Sequence, residues 1–283
     1  MSIAGGVHRA LERGRSISCE AVQIFTRNQL RWSAPILREE EIRVFQILRG
    51  DFRQLLAHAS YLINLASPDD EIFSRSIAAL AEELGRCSIL GIPTLVLHPG
   101  SHRDHGISWG IRRLVEGVLQ AFGQREGCRV RLALETTAGS GSSLGGSFEQ
   151  LRDLLAALEN RGVPVGICFD TCHVFAAGYE LRTRPGYEAT WRRFDETIGR
   201  GTLVALHLND SRGALGSGTD RHEHIGKGAI GKSGFRLLAQ DPGLAEVAGI
   251  LETPKGRDMQ EDVENLRLLR SLERRRTNAG LPL

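Results

Sequence analysis

VRLALETTAGSGSSLGGSFEQLRDLLAALENRGVPVGICFDT, residues 130–171, indicates the fold most directly. Its two ends, VRLALET (130–136) and VGICFDT (165–171), are short and almost continuously apolar, as is typical of parallel strands buried on both faces. Between them, Ser147 is a candidate N-cap with Gln150 three residues later, and Gly162 follows the last apolar turn. Residues 147–162 are therefore predicted to be a helix, and the glycine–serine run at 139–146 a βα loop rather than a linker.

The same pattern recurs on both sides of this stretch. Five further apolar runs alternate with helix-like segments and are predicted to be strands: AVQIF (21–25), QLLAHAS (54–60), TLVLHPG (94–100), LVALHLND (203–210) and GILET (249–253). Strand alternating with helix indicates a parallel sheet. Seven such units, with an eighth at the N-terminus, predict an α/β fold, the (β/α)8 TIM barrel. An open doubly wound sheet is the structural alternative.

Length and composition are those of one domain. A chain of 283 residues suits a single barrel, so residues 1–283 are predicted to form a single TIM-barrel domain. Hydrophobic residues make up 41% and charged residues 25%, which is ordinary for a globular protein. The sequence has no apolar run of membrane length and no signal-like N-terminus, so we expect a cytoplasmic protein with no membrane partner. Five cysteines without a CxxC pair indicate reduced thiols. The net charge of +2 permits nucleic-acid binding without arguing for it.

Six of the predicted strands end in a side chain that can bind a metal. These residues lie 35 to 45 positions apart, one βα unit each: His58, His98, Glu135, Asp170, His207 and Glu252. In a parallel barrel the carboxyl ends of all strands open onto one face. His173, Asp220 and His222 follow close to these ends in the sequence. A mixture of imidazoles and carboxylates suits zinc or manganese better than magnesium. The pattern therefore predicts a site for several metal ions at one end of the barrel.

Such a site favours hydrolysis of a phosphodiester. Two or three metal ions a few ångströms apart activate water and neutralise the charge that develops on phosphate oxygens. The sharpest local motif is CFDTCH (168–173), in which Asp170 and His173 are placed to reach neighbouring metals. We interpret Cys168 as a strand residue and Cys172 as a packing residue. The alternative is a metal-dependent sugar isomerase or epimerase, which needs fewer histidine ligands.

Taken together, these motifs resemble the endonuclease IV family of apurinic/apyrimidinic endonucleases. The matching segments cover nearly the whole chain: FTRNQLRW, HASYLINLASP, HPGSH, LETTAGSGSSLG, CFDTCHVFAAGYELRT, LHLNDS, GSGTDRHEHIGKGAIG and ILETP. The resemblance implies a TIM barrel with three zinc ions per chain, manganese being possible. It also implies an enzyme that hydrolyses double-stranded DNA 5′ to abasic sites, leaving a 3′-hydroxyl and a 5′-deoxyribose phosphate. We expect the protein to be a monomer. A non-catalytic binder of abasic DNA is the remaining alternative.

The resemblance also assigns the metal ligands, position by position. It implies that His58, His98 and Glu135 hold a first zinc, and that Glu135 bridges to a second. That second ion is also held by Asp170, His207 and Glu252, and the third by His173, Asp220 and His222. The attacking hydroxide is expected between the first two ions, so the resemblance implies that Glu135, Asp170 and Glu252 are catalytic.

The expected DNA contacts come from two loops. Tyr61 and Leu62, in SYLINL, resemble the family's wedge at the abasic site. The segment FTRNQLRW is expected to lie along the DNA backbone, with Arg27, Arg31 and Trp32 as candidate contacts. Some relatives have arginine where this chain has Leu30, so one contact is expected to be absent or moved.

The largest departure from the family is at the start of the sequence. Relatives begin with a strand and an Ala-His-Val/Met-Ser-like segment before the Gly-Gly pair, whereas this sequence opens at MSIAGG. The first strand of the barrel is therefore expected to be truncated. An uncovered parallel edge destabilises a sheet, so reduced stability or a slightly distorted barrel is predicted for the chain as given.

Overall fold

The computed structural model describes residues 1–256 and 258–273. Its strands are β1 (Ala21–Phe25), β2 (Gln54–His58), β3 (Thr94–Leu97), β4 (Arg131–Glu135), β5 (Val165–Asp170), β6 (Leu203–His207), β7 (Asp210–Ser211), β8 (His222–Glu223) and β9 (Ala248–Ile250). All seven predicted strands are present, and the short β7 and β8 form a separate antiparallel pair.

Helices alternate with the barrel strands. In the described residues they are α1 (Val7–Ser16), α2 (Glu39–Leu48), α3 (Asp70–Leu90), α4 (Ile107–Gly123), α5 (Phe148–Glu159), α6 (Thr171–Ala176), α7 (Arg184–Thr197), α8 (Gly231–Ala239) and α9 (Gln260–Leu272). The predicted helix at 147–162 is confirmed as α5, and its cap is confirmed as well, because the Ser147 side chain accepts from the Gln150 amide. The glycine–serine run lies between β4 and α5, as a βα loop does.

The strand order identifies a barrel rather than an open sheet. Parallel pairs run in the order β1-β2-β3-β4-β5-β6-β9, without the reversal that a doubly wound sheet requires. β1 and β9, at the two ends of this order, lie in contact, so the seven strands form a nearly closed barrel. Next to β1, the Met1 amino group donates to the Gln23 carbonyl oxygen at 2.5 Å. The predicted reduction in stability stays a prediction.

Alternation along the strands explains why the site lies at the end of the barrel. In β4, Leu132 and Leu134 pack with the large core between sheet and helices, whereas Ala133 points into the barrel. The barrel interior is a separate buried layer: Leu56, Val96, Ala133, Cys168, Ala205, Ala248 and Ile250. Each candidate ligand at a strand end stands two residues beyond a member of this layer, as Glu135 stands beyond Ala133. The period of two therefore directs these side chains inward, above the apolar layer.

Candidate metal centre

The carboxyl ends of the barrel strands bring the nine predicted ligands together. Within each of four groups, the possible ligand atoms lie within 4.8 Å of one another. The first group is His58, His98 and Glu135; the second is Glu135, Asp170, His207 and Glu252; the third is His173, Asp220 and His222; the fourth, which overlaps them, is Asp170, Cys172 and His222. The sequence-based ligand sets coincide with the first three groups.

Glu135 belongs to both the first and the second group, and its two oxygens are divided between them. Oε2 lies 3.1 Å from His58 Nε2 and 3.0 Å from His98 Nε2. Oε1 lies 2.8 Å from His207 Nδ1, which is also 3.0 Å from Glu252 Oε2. The Glu135 side chain is fully buried. One carboxylate therefore stands between two clusters of ligand atoms, the arrangement that a ligand bridging two cations requires.

The ring orientations of His58 and His173 turn Nε2 of each ring toward the centre. His58 Nδ1 lies 2.7 Å from the Ala59 carbonyl oxygen, and His173 Nδ1 lies 2.8 Å from that of Thr136. A carbonyl oxygen only accepts, so in the neutral ring each Nδ1 carries the proton and Nε2 presents a lone pair. Metal-bound histidines are commonly oriented in this way by the hydrogen bond of their other ring nitrogen.

The third group is the one that lies nearest to solvent. Asp220 Oδ1 lies 3.1 Å from His173 Nε2 and 3.4 Å from His222 Nε2, and about half of the Asp220 side chain is exposed. The two Nε2 atoms face each other at 3.5 Å, while His222 Nδ1 lies 3.2 Å from the Glu252 carbonyl oxygen. With both rings neutral, two lone pairs and a carboxylate oxygen directed at one point repel one another, and a proton or a metal cation between them relieves this repulsion.

Buried Asp210 fixes the loop that carries this third group. Its carboxylate accepts backbone N–H groups at 2.9 to 3.3 Å from Gly226, Gly228, Ile230 and Gly231. A Cβ on Gly228 would lie 2.4 Å from the Ser211 carbonyl oxygen, so the close approach of this loop requires glycine. Asp210 was not among the predicted site residues, although the motif LHLNDS contains it.

In the metal-free protein the electrostatics of the cluster favour the ionised forms of Glu135 and Glu252 and the protonated form of His173. Burial alone raises the pKa of Glu252, but His207 outweighs it and holds that pKa at about 2. Burial alone lowers the pKa of His173, but Asp170 and Asp220 outweigh it and raise that pKa to about 10. The pKa of Glu135 is likewise held well below its usual value against burial, by His207 and His98. Protons therefore gather where the carboxylates converge, at the positions that metal cations can take.

Cys168 and Cys172 have the surroundings of structural thiols. Cys168 is part of the apolar layer inside the barrel, and burial raises its pKa to about 12. Burial also raises the pKa of Cys172 to about 12, and its thiol lies 3.6 Å from the Arg221 carbonyl oxygen. Because a thiol must lose its proton to bind a metal, the histidines and carboxylates are the stronger ligand candidates.

The candidate wedge lies beside the first group. Tyr61 is 55% exposed, and its ring centroid is 5.4 Å from that of His58 and 6.1 Å from that of His98. Leu62 is half-buried next to it. The Ser60 hydroxyl donates to the Gln29 carbonyl oxygen at 2.7 Å. This contact joins the Tyr61 loop to the FTRNQLRW loop.

The FTRNQLRW loop places its candidate residues differently from one another. Arg31 and Leu30 are exposed, and Trp32 is half-buried. The guanidinium carbon of Arg75 lies 4.5 Å from the centroid of the Trp32 ring. Arg27, in contrast, is only 2% exposed. Its Nε donates to Glu83 Oε1 at 3.0 Å, and its Nη1 donates to the Trp32 carbonyl oxygen at 2.9 Å. The sequence predicted a DNA contact for Arg27, but in this structure its guanidinium stabilises the loop from within.

Gln23 is a further residue of the site that the sequence analysis missed. It lies on β1, 6% exposed, and its amide contacts both His207 and Glu252. The available signal was a polar side chain at an inward position of an otherwise apolar strand.

Comparisons with known proteins agree with the barrel fold. A family described as "Xylose isomerase-like TIM barrel" matches residues 11–272. A protein named "Probable endonuclease 4" from Chloroflexus aurantiacus is 45% identical over 274 residues, covering 96% of each chain. A protein of the same name from Geobacter sulfurreducens is 46% identical over 284 residues, covering 98% of this chain and 94% of the relative. The crystal structure of endonuclease IV from Thermus thermophilus superposes with a TM-score of 0.85 at 36% identity, covering 96% of each chain. In the part of the chain that the structure describes, no helix is long and apolar enough to cross a membrane.

Proposed function

The chain belongs to the endonuclease IV family of DNA-repair hydrolases, and on that basis we propose that it holds three zinc ions and incises double-stranded DNA 5′ to abasic sites. In this reaction a water oxygen attacks phosphorus and the P–O3′ bond breaks, which gives a 3′-hydroxyl and a 5′-deoxyribose phosphate. The observation that carries the proposal is the division of the Glu135 carboxylate between two ligand groups, with a third group beside them.

The residues present fit zinc. Five imidazoles and four carboxylates make up the three groups: His58, His98, His173, His207, His222, Glu135, Asp170, Asp220 and Glu252. Zinc accepts nitrogen and oxygen ligands in groups of three or four, whereas magnesium prefers oxygen and retains its waters. When bound, such ions lower the pKa of water and neutralise charge on a phosphate.

The chain's own residues would hold these ions and orient the substrate. Glu135, Asp170 and Glu252, proposed as catalytic, all belong to the second group, which shares Glu135 with the first. Without cations these acids would repel a DNA phosphate, so metal loading and DNA binding are expected to be coupled. Within the third group, the half-exposed Asp220 marks the side from which a phosphate would approach.

Recognition of the abasic site is assigned to the two loops beside the site. Tyr61 offers an exposed aromatic ring next to the first group, and Leu62 supports it. Such a wedge fits best where a base is already absent, because unstacking then costs least. Arg31 is exposed and can reach a phosphate, Trp32 lies behind it, and Arg27 supports the loop from within.

The remaining features of the proposal concern the whole chain. The larger of the two buried clusters contains residues from Val7 to Leu272, which supports the proposal of a single domain over residues 1–283. We propose that the protein acts as a monomer, which size-exclusion chromatography with light scattering would test. Its action in the cytoplasm stays a prediction.

A duplex with one abasic analogue tests the function. The protein is expected to cut this duplex once, on the 5′ side of the analogue, and to leave a 3′ end that a polymerase extends. The undamaged duplex should stay intact, and metal analysis should find three zinc ions per chain. Removal of the metal by a chelator should abolish incision, and added zinc should restore it. Absence of 5′ incision by protein that carries three zinc ions would refute the proposal. A sugar isomerase would instead bind metal and leave the DNA uncut.

A further inference from the structure

Gln23 occupies a special position among the strands of the barrel. Strand β1 directs Gln23 inward, at the level of the apolar layer, and this side chain is buried beneath the second group. Its amide touches two candidate ligands, His207 and Glu252, that are supplied by the opposite end of the sheet order. β1 therefore contributes an amide that contacts one ligand at the end of β6 and another just after β9.

The orientation of this amide follows from the chemistry of its partners. Glu252 Oε1 lies 2.8 Å from Gln23 Nε2, and a carboxylate only accepts hydrogen bonds. The amide NH2 must therefore face Glu252, which leaves Gln23 Oε1 facing His207 Nε2 at 2.9 Å. The amide oxygen also only accepts, so His207 Nε2 carries a proton. One side chain thus sets both the rotamer of Glu252 and the ring orientation of His207.

The consequence is a defined ligand atom on each partner. With Nε2 donating to Gln23, the other ring nitrogen of His207 faces Glu135 Oε1 at 2.8 Å and Glu252 Oε2 at 3.0 Å. With Oε1 of Glu252 held by the amide, Oε2 is the oxygen turned toward the centre. In contrast, the rings of His58, His173 and His222 are fixed by backbone carbonyl oxygens.

We propose that Gln23 is a positioning residue of the second metal group, which it serves by fixing His207 as an Nδ1 ligand and Glu252 as an Oε2 ligand. This inference rests on the proposed function, since it assumes that the second group binds zinc. Partners of this kind commonly contribute about 10- to 100-fold to metal affinity or activity. Because His207 is held by a side chain rather than by the backbone, mutation can remove the contact.

Three variants isolate this role. Gln23→Leu keeps a similar volume and removes both hydrogen bonds. Gln23→Glu keeps the acceptor for His207. Ile24→Val, on the same strand with its side chain on the opposite face, is the matched control for a buried change in β1. Zinc affinity is measured by competition with a chelator of known affinity. Long-range proton–nitrogen NMR of the zinc-loaded proteins follows the hydrogen-bonded Nε2–H of His207.

We expect Gln23→Leu to weaken binding of one zinc by about 10- to 100-fold and to lose or shift the His207 Nε2–H resonance. Gln23→Glu should retain that resonance, and Ile24→Val should change neither quantity. The inference is overturned if Gln23→Leu keeps wild-type affinity and spectrum, if Gln23→Glu loses the resonance, or if Ile24→Val weakens zinc as much. The wild-type spectrum is a test that needs no variant, because the inference is also overturned if the His207 ring carries no proton on Nε2. If the wild-type protein binds no zinc, it is the proposed function that fails.

Discussion

Replacement of Glu135 by Gln should remove two of the three proposed zinc ions and leave the third. The substitution keeps the shape of a fully buried side chain and removes its charge. Glu135 is a member of both the first and the second group, whereas the third group, His173, Asp220 and His222, does not contain it. The amide would also direct an N–H group at a ring nitrogen or at a metal position now occupied by a carboxylate oxygen.

The expected magnitude follows from the interactions that the Glu135 carboxylate makes. Its Oε2 lies 3.1 and 3.0 Å from two imidazole nitrogens, and Oε1 lies 2.8 Å from a third. Metal ions contribute several kcal/mol of charge stabilisation in a phosphoryl transition state. A loss of about 4 kcal/mol corresponds to about a thousandfold in rate, since each 1.36 kcal/mol is tenfold. We therefore expect incision to fall by about three orders of magnitude or more.

Two measurements on the same sample check this prediction. Metal analysis after dialysis should give about one zinc per chain, and single-turnover incision of the abasic duplex should give the rate. Glu188→Gln, on the surface of α7, is the matched control and should keep three zinc ions and full activity. Retention of all three ions and of wild-type activity by Glu135→Gln would show that this carboxylate is not a bridging ligand. Loss of every zinc would show that the third group depends on the other two.

The remaining predictions separate the DNA contacts from the residues that support the fold. Tyr61→Ala should weaken binding of abasic DNA by about 1–3 kcal/mol, measured by fluorescence anisotropy, because stacking on an exposed ring is lost. Zinc content should not change, and unchanged DNA affinity would rule out Tyr61 as a wedge. Arg27→Met should lower the free energy of unfolding by about 3–5 kcal/mol in urea denaturation, because it leaves the Glu83 carboxylate buried without its partner. Arg31→Met should leave the free energy of unfolding unchanged and reduce the salt dependence of DNA binding by about one phosphate contact. If Arg27→Met and Arg31→Met behave alike, the assignment of Arg27 to the loop interior is wrong. In the metal-free protein the pKa of His173 is raised from 6.5 to about 10, because the neighbouring carboxylates raise it by more than burial lowers it. The contribution of the protonated His173 ring to the stability of the metal-free protein is therefore complete below about pH 6.5 and is lost as the pH rises toward 10. Zinc affinity should increase over the same range, because protons compete with the metal for this ring. The melting temperature of the metal-free protein should therefore fall as the pH rises over this range, whereas His173 should give the zinc-loaded protein no such slope, because the ring is unprotonated both when metal-bound and when unfolded. Parallel slopes with and without zinc would contradict this.

Much of the fold could be predicted from the sequence because its signals are local. The strand AVQIF was placed at residues 21–25, and β1 has those bounds. The predicted LVALHLND strand was longer than β6, which ends at His207, because the chain turns after this residue to form the β7–β8 pair. The ligand groups could be expected from strand-end positions and from the family resemblance, since a barrel carries all strand ends to one face.

The contacts between distant residues could not be predicted in this way. Nothing in FTRNQLRW distinguishes Arg27 from Arg31, yet one is paired with Glu83 inside the protein and the other is exposed. The sequence also could not predict which ring nitrogen each histidine turns toward the centre, because this depends on the hydrogen-bond acceptor near the other ring nitrogen.

Local sequence is enough to establish the period of the strands, the residue type at each strand end and, with these, a site of mixed imidazoles and carboxylates. How those side chains are held depends on the folded chain. Gln23 and Glu252 are 229 positions apart, and they form a hydrogen bond only because β1 and β9 come into contact when the barrel nearly closes. Alternation along a strand is a property of neighbouring residues, and it can be read from the sequence. A hydrogen bond across the barrel depends on the packing of every strand between its partners, and no local pattern contains it.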